Sequence, residues 1–253
     1  MTLYGLIGRK LGHSFSADFF NKKFEREHIN SRYELFEIPS IEGISNILSA
    51  HPDLKGLNVT IPYKCDVIPY LDSLTEEAKE IGAVNSIRSD YRNGKRILAG
   101  HNTDAPGFKA ALLPLIEKFN DRGVDIRKAL VLGQGGASKA VIYALKSLGI
   151  EVIKVSRAQS EEAITYSGIT PGMINECNLI VNCTPLGMYP NVDECPAIPY
   201  QHLTDRHLCF DLVYNPEVTK FMVLSAERGA CVSNGLQMLH NQAILAWDFW
   251  NIL

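Results

Sequence analysis

The sequence predicts an α/β chain of two domains, the second with a doubly wound, nucleotide-binding pattern. Three observations carry this reading. Short strand-like runs alternate with helix-like ones from Leu3 to about Asn102; a glycine-rich turn, Gly133 to Ala137, separates an apolar strand from a helix; and the segment from Gly235 onward is one long amphipathic helix pattern.

In the first stretch the strand-like runs are LYGLIG, RYELFEI, LKGLNVTI, AVNSIRSDY and RILAG, and the helix-like ones FSADFFNKKFEREH, IEGISNILSA and TEEAKEIG. That alternation predicts a mostly parallel sheet. Asn93-Gly94 is a hairpin signal, so the last two strands are expected to form an antiparallel edge. A helix over roughly Pro106 to Phe119 and the polar segment NDRGVDIRK then mark a change of domain. KALVLG, EVIKVS, LIVNCTP, HLCFDLVY and ACVSN read as strands of a second, Rossmann-type sheet, with SKAVIYALKSLG and TKFMVLSAERG as helices. In the terminal helix Leu236, Leu239, Ala243, Ala246 and Trp250 lie on or near one stripe, suited to packing back on the first domain. The expected division is therefore 1–104 with 236–253, and 105–235.

Composition narrows the function. The chain has 253 residues, 46% of them apolar, enough for real cores. A net charge of -3 without a Lys/Arg block argues against nucleic acid and anionic membrane as partners. The opening MTLYGLIG runs straight into a strand pattern, and no apolar run reaches bilayer length, so a cytoplasmic protein acting on a small molecule is expected. Its six cysteines form no C-x-x-C pair and its histidines no H-x-x-x-H, which indicates neither a metal site nor a disulfide framework.

Lys64 follows the strand-like run NVTI and Pro62, which stops a ladder by lacking an N–H. It is either an ordinary surface residue or a poised acid/base. Asp104 also follows a strand end, and parallel strands present their carboxyl ends to one crevice, so the two side chains are expected to face each other there. A lysine beside a carboxylate can both give a proton to a carbonyl and take one from an alcohol. Asn58, Thr60 and Asn85, the last expected on a strand, offer amides and a hydroxyl suited to vicinal alcohols, although turn roles explain such residues equally well one by one. Ser14 and Ser16 open the first helix, where they either bind a carboxylate or simply cap it.

The turn Gly133-Gln134-Gly135-Gly136-Ala137 lets backbone approach a pyrophosphate at a helix N-terminus, although Ser138 stands where G-x-G-x-x-G has its third glycine. The residue that sorts NAD from NADP falls at the end of the following strand, which reads Ser156-Arg157 with no acid. An arginine there favours the 2′-phosphate of NADP.

The ordered set S-x-S, N-V-T-x-P-x-K, G-A-V-N, N-T-D, G-x-G-G-A, C-T-P-L-G-M, D-x-x-Y and G-x-x-M-L-x-x-Q-A spans nearly the whole chain and resembles the shikimate dehydrogenases of the biosynthetic type. The resemblance implies a reversible NADP-linked reduction of 3-dehydroshikimate to shikimate, with Lys64 as acid/base and Asp104 as its partner. It implies substrate contacts from Ser14, Ser16, Asn58, Thr60, Asn85, Tyr214 and Gln242. On the cofactor side it implies Gly133 to Ala137, Ser156, Arg157, Thr184, Leu212, Gly235 and Met238. Two departures stand out: the family's N-R-T loop with a further basic residue reads S-R-A-Q-S here, and Leu212 replaces a common Met. An NAD-dependent quinate or quinate/shikimate dehydrogenase, or a dinucleotide-sensing module without turnover, remains the alternative. A monomer or a homodimer fits either.

Overall fold

The computed structural model describes residues 1–12 and 14–252. The chain runs β1 (Thr2–Gly8), α1 (Phe15–Arg26), β2 (Ser31–Glu37), α2 (Ile44–Ala50), β3 (Leu54–Val59), β4 (Ser73–Leu74), α3 (Glu76–Ile81), β5 (Ser86–Arg92), β6 (Lys95–His101) and α4 (Asp104–Asp121). It continues through β7 (Lys128–Leu132), α5 (Gly136–Ser147), β8 (Glu151–Ser156), β9 (Ile164–Thr165), α6 (Pro171–Glu176), β10 (Leu179–Asn182), β11 (Leu208–Asp211), α7 (Lys220–Ala226), β12 (Cys231–Ser233) and α8 (Leu236–Trp250). The architecture is α/β with two sheets, as the alternation predicts.

Contacts divide the chain into two compact units, 1–103 with 243–253, and 104–242. The second division falls inside α8 rather than before it at 235/236. Its cause lies in packing: a Cβ on Gly107 of α4 would meet the Gln242 backbone nitrogen at 3.0 Å and the Met238 carbonyl at 3.2 Å, so the first half of α8 lies against α4.

The first unit's sheet has the order β2-β1-β3-β5-β6-β4. Alternation along β1 sends Leu3 and Ile7 into one cluster with Ile44, Leu57 and Ile87, and Tyr4 and Leu6 into another with Phe20, Phe24, Tyr33 and Trp250. Trp250 is fully buried, and a Cβ on Gly56 would lie 2.5 Å from its ring. The β5–β6 hairpin forms at Asn93-Gly94, both with positive φ. It is not the edge, however: two-residue β4 pairs outside β6, which aligns Ser73 with Ala99. Nor does β3 reach Ile61. The chain turns at Thr60, whose carbonyl accepts the Tyr63 N–H at 3.0 Å, leaving Ile61 exposed.

The second sheet is wholly parallel, in the order β12-β11-β10-β7-β8-β9. Taken from β9, this is the doubly wound 3-2-1-4-5-6 order, whose direction reverses between β7 and β10. Both of those strands carry residues at 0% exposure, Leu130 to Leu132 and Leu179 to Val181, as befits a sheet covered on both faces.

Candidate active site

The first unit's strand ends carry a row of buried amides. Asn58 is the next-to-last residue of β3, at 4% exposure; its Oδ1 accepts the Tyr33 hydroxyl at 2.8 Å and its Nδ2 donates to the Asn85 carbonyl at 3.3 Å. Asn85 is not on a strand, as the sequence suggests, but at the bend just before β5. Its Oδ1 accepts the Thr103 N–H at 2.7 Å and its Nδ2 donates to Thr103 Oγ1 at 2.9 Å, while Asn102 Nδ2 donates to the Ala83 carbonyl at 2.9 Å. These bonds lock the amides in place, which a turn or cap role alone would not require. Thr60 joins the row beside β1: its N–H donates to the Ile7 carbonyl at 3.0 Å, and its methyl would lie 2.8 Å from a Cβ on Gly8.

Lys64 sits in the turn after β3 rather than at a strand end, half-buried, with its carbonyl accepting the Val84 N–H at 2.7 Å. Ser14 is the N-cap of α1 by position, yet its side chain makes no capping bond. Ser16, inside the first turn, is buried and hydrogen-bonds Tyr33, whose phenol burial pushes well above its usual pKa. Tyr33 thus joins Ser16 to Asn58 from below. Nothing in its strand pattern marks it, because an aromatic residue on β2 looks like core.

Asp104 is the first residue of α4 and 5% exposed, a position where the helix dipole favours a carboxylate. Tyr214 and Gln242 belong with it to the second unit, whereas Ser14, Ser16, Asn58, Thr60, Lys64 and Asn85 belong to the first. Burial raises the Tyr214 phenol above its ordinary pKa.

On the second sheet, Gly133 directly follows β7 at φ +106, a conformation that disfavours side chains, and a Cβ there would meet the Thr184 methyl at 3.1 Å. A Cβ on Gly135 would meet nothing within 4 Å, so the backbone is open to close approach from outside. Gly135 is also the N-cap of α5 and offers no side-chain cap, which leaves the first-turn N–H groups for an external acceptor. α5 begins at Gly136 rather than Ser138. Ser138 fills the third-glycine position, buried, with its hydroxyl donating back to the Gly135 carbonyl at 2.8 Å. An uncapped helix start behind a turn whose Gly133 and Gly135 leave the backbone bare fits the pyrophosphate of a dinucleotide.

A cavity of about 490 Å³ opens beside this turn, lined among others by Gln134, Lys139, Lys154, Ser160 and Glu162. Lys154 pairs with Glu162 at 2.6 Å. Ser156 is buried at the end of β8 and its hydroxyl bonds the Ala158 carbonyl, fixing the loop after it, and Arg157 is exposed. Thr184 is held by Asn182, whose Oδ1 accepts both its N–H at 3.0 Å and its hydroxyl at 2.6 Å. Asn182 in turn donates to Asp211 at 2.9 Å. Leu212 follows Asp211, and its carbonyl would lie 2.1 Å from a Cβ on Gly235, so only glycine fits there. Met238 is buried on α8 one turn later. Asn182 was not among the residues singled out from sequence, and Asp211 entered only as the first residue of D-x-x-Y, with no role assigned; the signal of both is a polar side chain closing an apolar strand. Among the described residues no cluster suited to a metal ion occurs, and no helix is long and apolar enough to cross a membrane.

Residues 6–87 match the family described as the shikimate dehydrogenase substrate binding domain. The shikimate dehydrogenase (NADP(+)) of Carboxydothermus hydrogenoformans is 40% identical over 266 residues, spanning 98% of this chain and 91% of that protein. The crystal structure of shikimate 5-dehydrogenase from Thermus thermophilus in complex with NADP(H) and shikimate is similar at a TM-score of 0.83 and 30% identity, over 100% of this chain and 94% of that one. Quinate dehydrogenase from Corynebacterium glutamicum in complex with NAD is also similar, at a TM-score of 0.83 and 26% identity, covering 100% and 94%. With identity of this order along its whole length, set on a doubly wound sheet with an open glycine turn, the chain belongs to the shikimate dehydrogenase family.

Proposed function

We propose that the chain catalyses the reversible NADPH-dependent reduction of 3-dehydroshikimate to shikimate, a step toward chorismate and the aromatic amino acids. The observation that carries this is the row of immobilised neutral groups, Asn58, Asn85 and Thr103, preceding and following Lys64 in the chain. Neutral donors and acceptors held in fixed directions suit a ring of hydroxyls, and they do so without charge that would repel or trap it.

NADPH, when bound, supplies the hydride to the ketone carbon. Gly133 to Ala137 hold its pyrophosphate and Arg157, next to Ser156, its 2′-phosphate; Thr184, Leu212, Gly235 and Met238 line the remainder. Lys64 gives the proton that the reduced oxygen needs and takes it back in the reverse direction, with Asp104 as the carboxylate partner that orients the same oxygen. Ser14 and Ser16 receive the substrate carboxylate, and Asn58, Thr60, Asn85, Tyr214 and Gln242 its hydroxyls. Unit 1–103 with 243–253 is then the substrate domain and unit 104–242 the cofactor domain. Six free thiols and a reduced cofactor suit a cytoplasmic enzyme, working as a monomer or homodimer.

Rates with shikimate and with quinate, each with NADP and with NAD, test this. Shikimate with NADP is expected to be fastest. Faster turnover of quinate with NAD would make the chain a quinate dehydrogenase, and tight NADPH binding without turnover of either substrate would make it a sensor.

A further inference from the structure

Asp211 closes β11 at 0% exposure. All three of its hydrogen-bond partners are neutral: the Thr219 hydroxyl donates to Oδ2 at 2.6 Å, and the Val213 N–H and Asn182 Nδ2 donate to Oδ1 at 3.0 and 2.9 Å. They give Oδ1 two donors and Oδ2 one without neutralising the carboxylate's charge. The titratable groups facing it are Cys183 after β10, Cys209 on β11 and Tyr200, and burial raises the pKa of each, so they stay uncharged. On α7 the nearest cationic residue, Lys220, donates instead to the Asp193 carbonyl at 2.8 Å. Burial pushes the Asp211 carboxyl up to about 6, against the pull of Thr219, Val213 and Asn182. At neutral pH the fold therefore carries a buried charge that a well-packed neutral residue would spare it.

The place of this charge suggests what offsets its cost. In a doubly wound sheet the two nucleotide halves lie on either side of the switch point, here between β7 and β10. Arg157 at the end of β8 assigns the ribose phosphate to one half, so the nicotinamide falls to the half of β10, β11 and β12. The nicotinamide ring is neutral when reduced and cationic when oxidised. We propose that Asp211 is the buried charge by which the site favours oxidised over reduced cofactor, acting from the same network that holds Thr184 and bears Leu212. This rests on the NADP reading above and adds to it a residue that touches neither substrate nor cofactor.

Binding constants of the intact protein for NADPH, by its fluorescence, and for NADP⁺, by competition, test the assignment between pH 8 and pH 5. The ionisation of the 2′-phosphate is common to both cofactor forms and cancels in their ratio. As pH falls through about 6, Asp211 takes up a proton. The ratio of the NADP⁺ to the NADPH dissociation constant is then expected to rise at least about threefold, since an attraction worth a fraction of a pKa unit is already of that size. Asp211→Asn is expected to hold the raised ratio at every pH. A parent ratio independent of pH overturns the proposal, and this arm needs no variant to fold. Equal weakening of both cofactor forms in Asp211→Asn assigns the residue a purely structural role and also overturns it. A parent that binds neither form instead sinks the NADP reading beneath it.

Discussion

The two sheets solve the problem of their strand ends in opposite ways. At the first, side chains do the work: Asn58, Asn85 and Thr103 are neutral, buried and bonded to one another, so their remaining directions are fixed. At the second, Gly133 and Gly135 leave bare backbone, and the polar chain beneath, Thr184 to Asn182 to Asp211, ends in a charge. A ligand of hydroxyls needs many directional partners and no field. A dinucleotide needs close backbone approach at its phosphates and has a charge at one end that changes with redox state. The contrast teaches that one α/β layer scheme serves both tasks through what caps its strands.

Four changes test that contrast, from the largest expected effect down. Lys64→Ala is expected to lower kcat by about 10²- to 10⁴-fold with a much smaller change in KM, the size of general acid/base help; near-normal turnover in steady-state assays would remove the lysine from the chemistry. Asn85→Ala strips the Thr103 N–H of its buried acceptor and should cost about 2–4 kcal/mol in a denaturant melt, more than one ordinary hydrogen bond. A loss below about 1 kcal/mol would mean that the amide row is not locked. Arg157→Ala should cut the preference for NADP over NAD by about tenfold, as loss of a charged hydrogen bond to a phosphate does, while leaving NAD kinetics nearly unchanged; an unaltered preference moves the phosphate site elsewhere. Arg127→Ala breaks an exposed pair with Asp125 at 2.6 Å, outside either strand-end network, and should leave Tm within about 2 °C of the parent by calorimetry.

The alternating pattern made most of this fold legible. Strands β7, β8, β10 and β11 are apolar runs bounded by turn residues, which marked the doubly wound pattern, while its 3-2-1-4-5-6 order came only with β9 in the structure. Three elements escaped. β4 and β9 are two residues long, too short to show a period of two, and α6 (PGMINE) carries only two apolar side chains, side by side, where the equally short α3 has a run of strong helix formers. The edge assigned to the β5–β6 hairpin was wrong for the same reason, since β4 is what covers it. At the site, glycines and the lysine after the turn were visible because their residue types are unusual in their settings. Tyr33 and Asn182 were not, and Asp211 showed only as a letter of D-x-x-Y without a role, because what distinguishes them is burial with polar partners, which a linear pattern does not record.

Trp250 sets an order of manufacture. It follows the whole of residues 104–242 in the sequence, yet it fills the space above Gly56 among Tyr4, Phe20 and Tyr33. Residues 1–103 are therefore made lacking a ring of their own core, while residues 104–242 form one continuous stretch that draws on nothing made after it. The part of the enzyme that is translated first is the part that can be finished only last.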